Sequence, residues 1–421
     1  MKLQCGLKPT EGSLEMGSNQ MYRPLKVNFF VQFVHEQGTY FRFHNLARAL
    51  TERGHFVQIF GCDNQRLGPR RKELRDGVTY HIIPSFRGQS IIHPFNHPLN
   101  ALAQIPAAGQ RCDVAHLFQP FATAALGWKL SKAKIRFFDW DDLWCGGLIN
   151  SKPCHLSERY FNCVTSRLEA NLPRMADATT VCSTYLKRLA LARGAKRVTV
   201  LGNGVFPAEL REQGAARSQL GLQPKATYLG FMGRTTRELL WCFELLEKGR
   251  CILPNLRLAI CGPARDVLDD LPSELRDAVD HLGSLPASDV VNFGSAIDLG
   301  LIPLQNDSFN QSRFPIKFAE HMNFGAPIVC SRVGECGRIG RSMPWVYLAS
   351  SHGKEAWIHA GIQAIHALSD KSAAVVDRVE VQRLLSWASL SCLLEKCYLD
   401  AIDSKVAISS KLENATGNLF Q

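Results

Sequence analysis

Short segments of unbroken apolar, β-branched and aromatic residues recur along this chain. A polar loop and an amphipathic stretch usually separate one from the next. Val27–Phe33, "VNFFVQF", is the first. It does not alternate, so both faces of the strand must be covered, as in parallel sheets flanked by helices. After the loop "VHEQG" comes "TYFRFHNLARALTERG", where Tyr40, Phe43, Leu46, Ala47 and Leu50 recur at helical spacing and Gly54 ends the helix. "HFVQIFG" is the next strand and completes a β–α–β unit, with Gly38 at its turn. "DVAHLF", "IRFFDWDD" and "ATTVCS" are further strands, and "VTVLGNGV" closes a first set. The polar stretch "FPAELREQGAARSQLGLQPKA" reads as the connection to a second set. That set begins with "TYLGFMGR" and the helix "ELLWCFELLEKG", and continues through "LRLAICG", "DHLGSLP", "IDLGLIPL" and "PIVCS". Strands and helices that alternate twice over predict an α/β fold of two tandem, doubly wound, Rossmann-like domains facing a cleft.

The length agrees, since 421 residues exceed one ordinary core and suit two domains of roughly 150–200 residues. The expected division is a disordered leader over 1–24, a first domain over 25–205 and a second over 206–385. An amphipathic helix over 386–403 and a loose tail over 404–421 complete it. The leader has no apolar core of signal-peptide length, and Met21 is a second candidate start. No run of about 18 uncharged apolar residues predicts a membrane span. Fourteen cysteines are scattered without a C-x-x-C pair, which argues against zinc and for reduced thiols in the cytoplasm. The formal charge of +11 implies an anionic partner: a phosphorylated ligand, a nucleic acid or an anionic membrane surface. Because the cations are dispersed, nucleic acid is disfavoured.

Ligands of open α/β sheets bind beyond the carboxyl ends of the strands, so the cleft loops carry the candidates. The stretch "SRFPIKFAEHMNFGAPIVCS", Ser312 to Ser331, reads as a loop, a short helix, a turn and a strand. Pro315 suits the first turn of that helix, Lys317 and Glu320 share one face, and Gly325 ends it. The unpaired N–H groups of the helix start, near Pro315 and Ile316, would favour an anion, with Pro315 itself having no N–H to offer; the alternative is a surface Lys–Glu pair. Arg234 and Arg237 follow "YLGFM", and guanidinium groups suit phosphate, although exposed arginines are often only solvated. Gly38 lets backbone approach a ligand, or merely makes a tight turn. "DWDDLW", Asp139 to Trp144, gathers acids at a strand end, where Asp141 and Asp142 either touch substrate or cap structure. Histidines 35, 44, 55 and 116 lie on apolar segments and read as satisfied core residues.

"GTYFRFHNLARALTERGH", "ADATTVCSTYLKRL", "VTVLGNGV", "LGFMGR", "LRLAICGP" and "FPIKFAEHMNFGAPIVCS" occur in the order of the group 1, or family 4, glycosyltransferases of the GT-B fold. The chain resembles that family from about Val27 to Ala401. The resemblance implies transfer of a sugar from a nucleotide diphosphate donor to the hydroxyl of a saccharide or lipid-linked acceptor, with retention, no metal and no cofactor beyond the donor. The usual setting is polysaccharide or glycolipid assembly in the cytoplasm, with peripheral contact at an anionic inner membrane face. Donor contacts would come from Gly38, Asn203, Gly204, Arg234, Arg237, Pro315, Ile316, Lys317 and Glu320. Glu320 would hold the ribose, the pyrophosphate would lie at Pro315 and Ile316, and Arg234 would stabilise the leaving phosphate. Asp141 or Asp142 would orient the acceptor, and the last helix would return to the first domain. Two departures stand out: Ser312 occupies the position of the family's first glutamate, and Leu239 that of its second phosphate cation, which Arg237 would replace. The rivals are a nucleotide-sugar 2-epimerase of the same fold and a non-catalytic sugar-nucleotide binding module.

Overall fold

The computed structural model describes residues 23–63, 69–86, 92–149, 152–233 and 237–417. The first sheet contains β1 (Lys26–Phe30), β2 (Phe56–Asp63), β3 (Arg71–Arg75), β4 (Val78–Pro84), β5 (Arg111–Phe118), β6 (Lys132–Trp140), β7 (Ala178–Val181) and β8 (Val198–Val200). Their order is β3-β4-β2-β1-β5-β6-β7-β8, and all pairs are parallel except β3 with β4. The second sheet contains β9 (Thr227–Met232), β10 (Leu256–Cys261), β11 (Val279–Gly283), β12 (Leu299–Ile302), β13 (Ile328–Cys330) and β14 (Val346–Leu348). It is parallel throughout, in the order β11-β10-β9-β12-β13-β14. In each sheet the winding reverses beside the first strand, at β1/β5 and at β9/β12, and such switch points open a crevice at the strand ends.

The β3–β4 hairpin is an addition to the sequence reading, yet its signal is local. Asp76-Gly77 forms the turn with φ of 46° and 75°, both left-handed, as a two-residue hairpin requires. β14 and the helix Lys354–Ser369 also lie beyond the strands read from sequence.

One apolar core runs through both domains. Phe30, Leu117, Trp140 and Val181 of the first pack in the same cluster as Phe314, Phe318 and Ile328 of the second. The chain crosses between domains twice. At Val205 and Ser386 the crossings pair, with Val205 N–H donating to Leu385 O (2.8 Å) and Trp387 N–H donating to Val205 O (3.1 Å). The last helix then packs Trp387, Leu394 and Tyr398 into the core of the first domain. It runs over Trp387–Gly417, so the expected loose tail from Ser404 is helical through Gly417. Polarity suggested a tail there, but Ser404–Gly417 holds no proline, and Ser404 Oγ donates to Asp400 O at 2.6 Å. Among the described residues no helix is long and apolar enough to cross a membrane.

Candidate active site

The ends of β9 and β10 leave no room for side chains. Gly233 and Gly262 have φ of 133° and 130°, and a Cβ on Gly262 would lie 2.1 Å from Gly233 O. The space above Gly233 belongs to Lys317, whose Nζ lies 1.1 Å from where a Gly233 Cβ would be. Lys317 sits in the first turn of the helix Ile316–Asn323, which Pro315 caps and which ends at Gly325 with φ 82°, as the sequence predicts. Glu320 lies one turn further on. Among the described residues neither Lys317 nor Glu320 makes an ion pair. Burial lowers the Lys317 ammonium to about 8, with Arg313 acting in the same direction, and burial raises the Glu320 carboxyl to about 7.

Glu320 and Ile316 open onto a cavity of about 650 Å³ between the domains. Its other walls include Glu36 and Phe41 of the first domain and Phe206, Leu285 and Phe324 of the second. Gly38, φ 55°, lies in the neighbouring turn with nothing within 4 Å of a Cβ there, so its backbone faces open space. Arg313, just before the helix Ile316–Asn323 and half-buried, has its guanidinium 4.5 Å from the Phe309 ring and, among the described residues, its Nε has no hydrogen-bond partner. The sequence reading passed over Arg313.

The acids lie at the end of β6, and two buried side chains fix them there. Glu169, on the helix Leu156–Met175, accepts from Trp140 Nε1 (3.0 Å), Trp144 N (2.8 Å) and Cys145 N (3.0 Å), clamping the loop after Asp142. Gln119, just past β5, donates to Asp141 and to Thr39 Oγ1 (2.9 Å). Burial raises the Asp141 carboxyl well above its ordinary value, helped by Asp142 and Asp139; burial raises Asp142 too, opposed by Arg313 and Arg42. Asp139 is engaged elsewhere. It takes both Arg42 Nε (2.7 Å) and Nη2 (2.9 Å), and Arg42 also donates to Leu201 O, Gly202 O and Asn203 Oδ1. A lone arginine within an apolar helix face was the sequence signal for this hub.

Several candidates are spent on structure. Asn203 accepts from Arg42 with one end of its amide and donates to Phe314 O (2.8 Å) with the other, bridging the domains. A Cβ on Gly204 would lie 2.9 Å from Trp387 and Leu390, so this glycine makes room for the last helix. Arg237 is exposed, and Arg234 lies outside the described residues. Ser312 is fully buried, and its carbonyl accepts from Ser183 Oγ. His44 bonds Tyr80 and Asp76, and His116 bonds Tyr398 and Thr180, as satisfied core residues do. Among the described residues, no three His, Cys, Asp or Glu side chains gather to hold a metal.

Two family models match this architecture, one on each domain: a glycosyl transferase 4-like domain over residues 37–204 and glycosyl transferases group 1 over residues 226–366. A putative teichuronic acid biosynthesis glycosyltransferase, TuaH of Bacillus subtilis, is 23% identical over 62% of this chain and 65% of its own length. The chain thus spans just under two thirds of that relative. Among solved structures, sucrose-phosphate synthase of Thermosynechococcus elongatus matches 91% of this chain and 100% of its own at 17% identity and a TM-score of 0.67. Anabaena HepE, solved with UDP and glucose, matches 89% and 100% at 14% identity and a TM-score of 0.66. Likenesses of that degree show the two-domain GT-B fold, and the family models on both halves show that the chain belongs to the group 1 glycosyltransferases.

Proposed function

We propose that this protein transfers a sugar from a nucleoside diphosphate sugar to an acceptor hydroxyl, with retention and without a metal. The observation that carries this is the Lys317–Glu320 face: an ammonium and a carboxylate one helical turn apart, neither with an ion-pair partner among the described residues, with Glu320 lining a cavity of about 650 Å³. A diphosphate fits the cation and the N–H groups of the helix start. A ribose diol fits the carboxylate, and the apolar walls at Leu285 and Phe324 fit a flat base. The UDP and glucose held by the Anabaena neighbour support a uridine donor. Charge growing on the leaving phosphate would meet Lys317, and Arg313 and Arg234 are the further cations proposed for it. Asp141 or Asp142, at the end of β6 in the first domain, would orient the acceptor, a saccharide or a lipid-linked saccharide. The unpaired thiols of the described residues support a reducing compartment, and the charge of +11 supports peripheral contact with an anionic membrane.

The experiment is a panel of nucleotide sugars with saccharide acceptors, assayed with and without EDTA. Transfer, or slow donor hydrolysis, is expected and should survive the chelator. Appearance of a C2 epimer, binding without turnover, or recovery only with added magnesium or manganese would each overturn a stated part of the reading.

A further inference from the structure

Gln119 is the residue in the cleft whose backbone conformation is least expected. It is fully buried, and its φ of 68° is in the left-handed region that side chains other than glycine, asparagine and aspartate avoid. Strain of this kind persists where surrounding structure holds it, and it gathers at functional sites. Here the strain aims the side chain. The indole N–H of Trp144 can only donate, and it lies 2.7 Å from Gln119 Oε1. The amide is thereby oriented with Nε2 away from Trp144. Nε2 then donates to Thr39 Oγ1 at 2.9 Å and to Asp141 Oδ1. Thr39 follows Gly38 and stands immediately before the helix Tyr40–Glu52, without a side-chain cap hydrogen bond to it. One amide therefore ties together the open Gly38 turn, the end of β5 and the acid loop after β6. Among the described residues no other side chain hydrogen-bonds the Asp141 carboxylate, which is also reached by its own backbone N–H.

We propose that Gln119 is a positioning residue, which holds one oxygen of Asp141 against the Gly38–Thr39 turn and leaves the other to receive the acceptor hydroxyl. This rests on the reading of Asp141 as the acceptor-facing acid. The Gln119 amide bonds Asp141 Oδ1 and also favours the ionised form of the neighbouring Asp142. Asp139 and Asp142 flank it in the chain, and Arg42 faces it from the first helix. Cys182 Sγ donates to its backbone oxygen at 2.8 Å, and Arg313 of the second domain acts on Asp142. Against three mutually repelling acids in a buried place, the N–H of Gln119 favours the ionised form. Its removal shifts Asp141 toward protonation at any given pH.

Two variants separate the amide from the backbone. Gln119→Met keeps the length and loses the donor, and Gln119→Gly relieves the left-handed backbone while also losing the donor. The Asp141 carboxyl carbon is followed by ¹³C NMR across pH in the full-length protein, and turnover of the donor found by the nucleotide-sugar panel is followed alongside. The midpoint of Asp141 is expected to rise by about one pH unit in both variants. The acid limb of kcat should move up equally, with the donor KM within about twofold of wild type. An unmoved carboxyl midpoint in either variant overturns the proposal, as does a uniform loss of kcat at every pH. Asp141→Asn distinguishes the two layers: full turnover in that variant overturns the reading of Asp141, and the proposal falls with it. An inactive Asp141→Asn beside unshifted Gln119 variants overturns the proposal alone.

Discussion

Lys317 occupies the space that any side chain on Gly233 would need, so the two residues form one functional unit. Gly233→Ala is expected to displace the ammonium and to weaken donor binding as much as Lys317→Met does. The double variant should be no worse than either single one, which calorimetric titration with donor would check. The pH dependence follows from the two groups at this helix start. Burial raises Glu320 to about 7, so on the proposed reading protonation below that removes the ribose acceptors. Burial lowers Lys317 to about 8, so on the same reading deprotonation above that removes the charge facing the diphosphate. Donor affinity should peak between these values and fall on both sides. Glu320→Gln should abolish the acid limb and weaken peak binding by about 1–3 kcal/mol; an unchanged pH profile would remove Glu320 from the site. Both residues were legible in sequence because Pro-x-Lys-x-x-Glu is a local pattern with a helical period. Arg313, Gln119 and Glu169 were not. Arg313 and Gln119 lie in loops, and Glu169's partners, Trp140, Trp144 and Cys145, meet it only through the fold.

Among the elements, strands that are buried on both faces were readable because they are continuously apolar. β3 was not, since "RKELR" on a sheet edge has no apolar face to announce it. The last helix was located at its start and stopped too early, because Ala401 is the last buried residue among its described side chains while its backbone continues to Gly417. Its grip on the first domain is polar as well as apolar. Tyr398 OH lies 2.6 Å from His116 Nδ1, and Glu395 pairs with Arg53 and His55. Burial holds His116 neutral, with its proton affinity lowered to about 3. Tyr398→Phe leaves a buried ring nitrogen without its partner and is expected to cost about 1–3 kcal/mol. Urea unfolding should show a lower midpoint with an unchanged slope. A midpoint equal to wild type would show that the Tyr398–His116 hydrogen bond adds nothing to the grip of this helix.

For the whole molecule, the two-domain plan was legible because strand–helix alternation simply occurs twice; the contacts between the domains were not, since each joins residues more than a hundred apart in sequence. Glu335 of the second domain is buried and accepts from Thr184 N (2.5 Å) and Thr184 Oγ1 (2.6 Å) of the first. Glu335→Ala should loosen this contact and enlarge the ligand-free molecule. A rise in radius of gyration on the order of 1 Å, over a compact value of about 22 Å, is expected and should reverse with donor. Identical scattering curves for variant and wild type would mean that the shared apolar core alone sets the spacing. The double crossing at Val205 and Ser386 has a further consequence. One strand of chain between two bodies is a swivel, free to turn about its own length. Two strands bonded side by side are a ribbon, which bends easily across its width and resists twisting. Any parting of the two domains about this spine would then be a bend like an opening book and not a twist, and the proposed donor would come and go along the fore-edge.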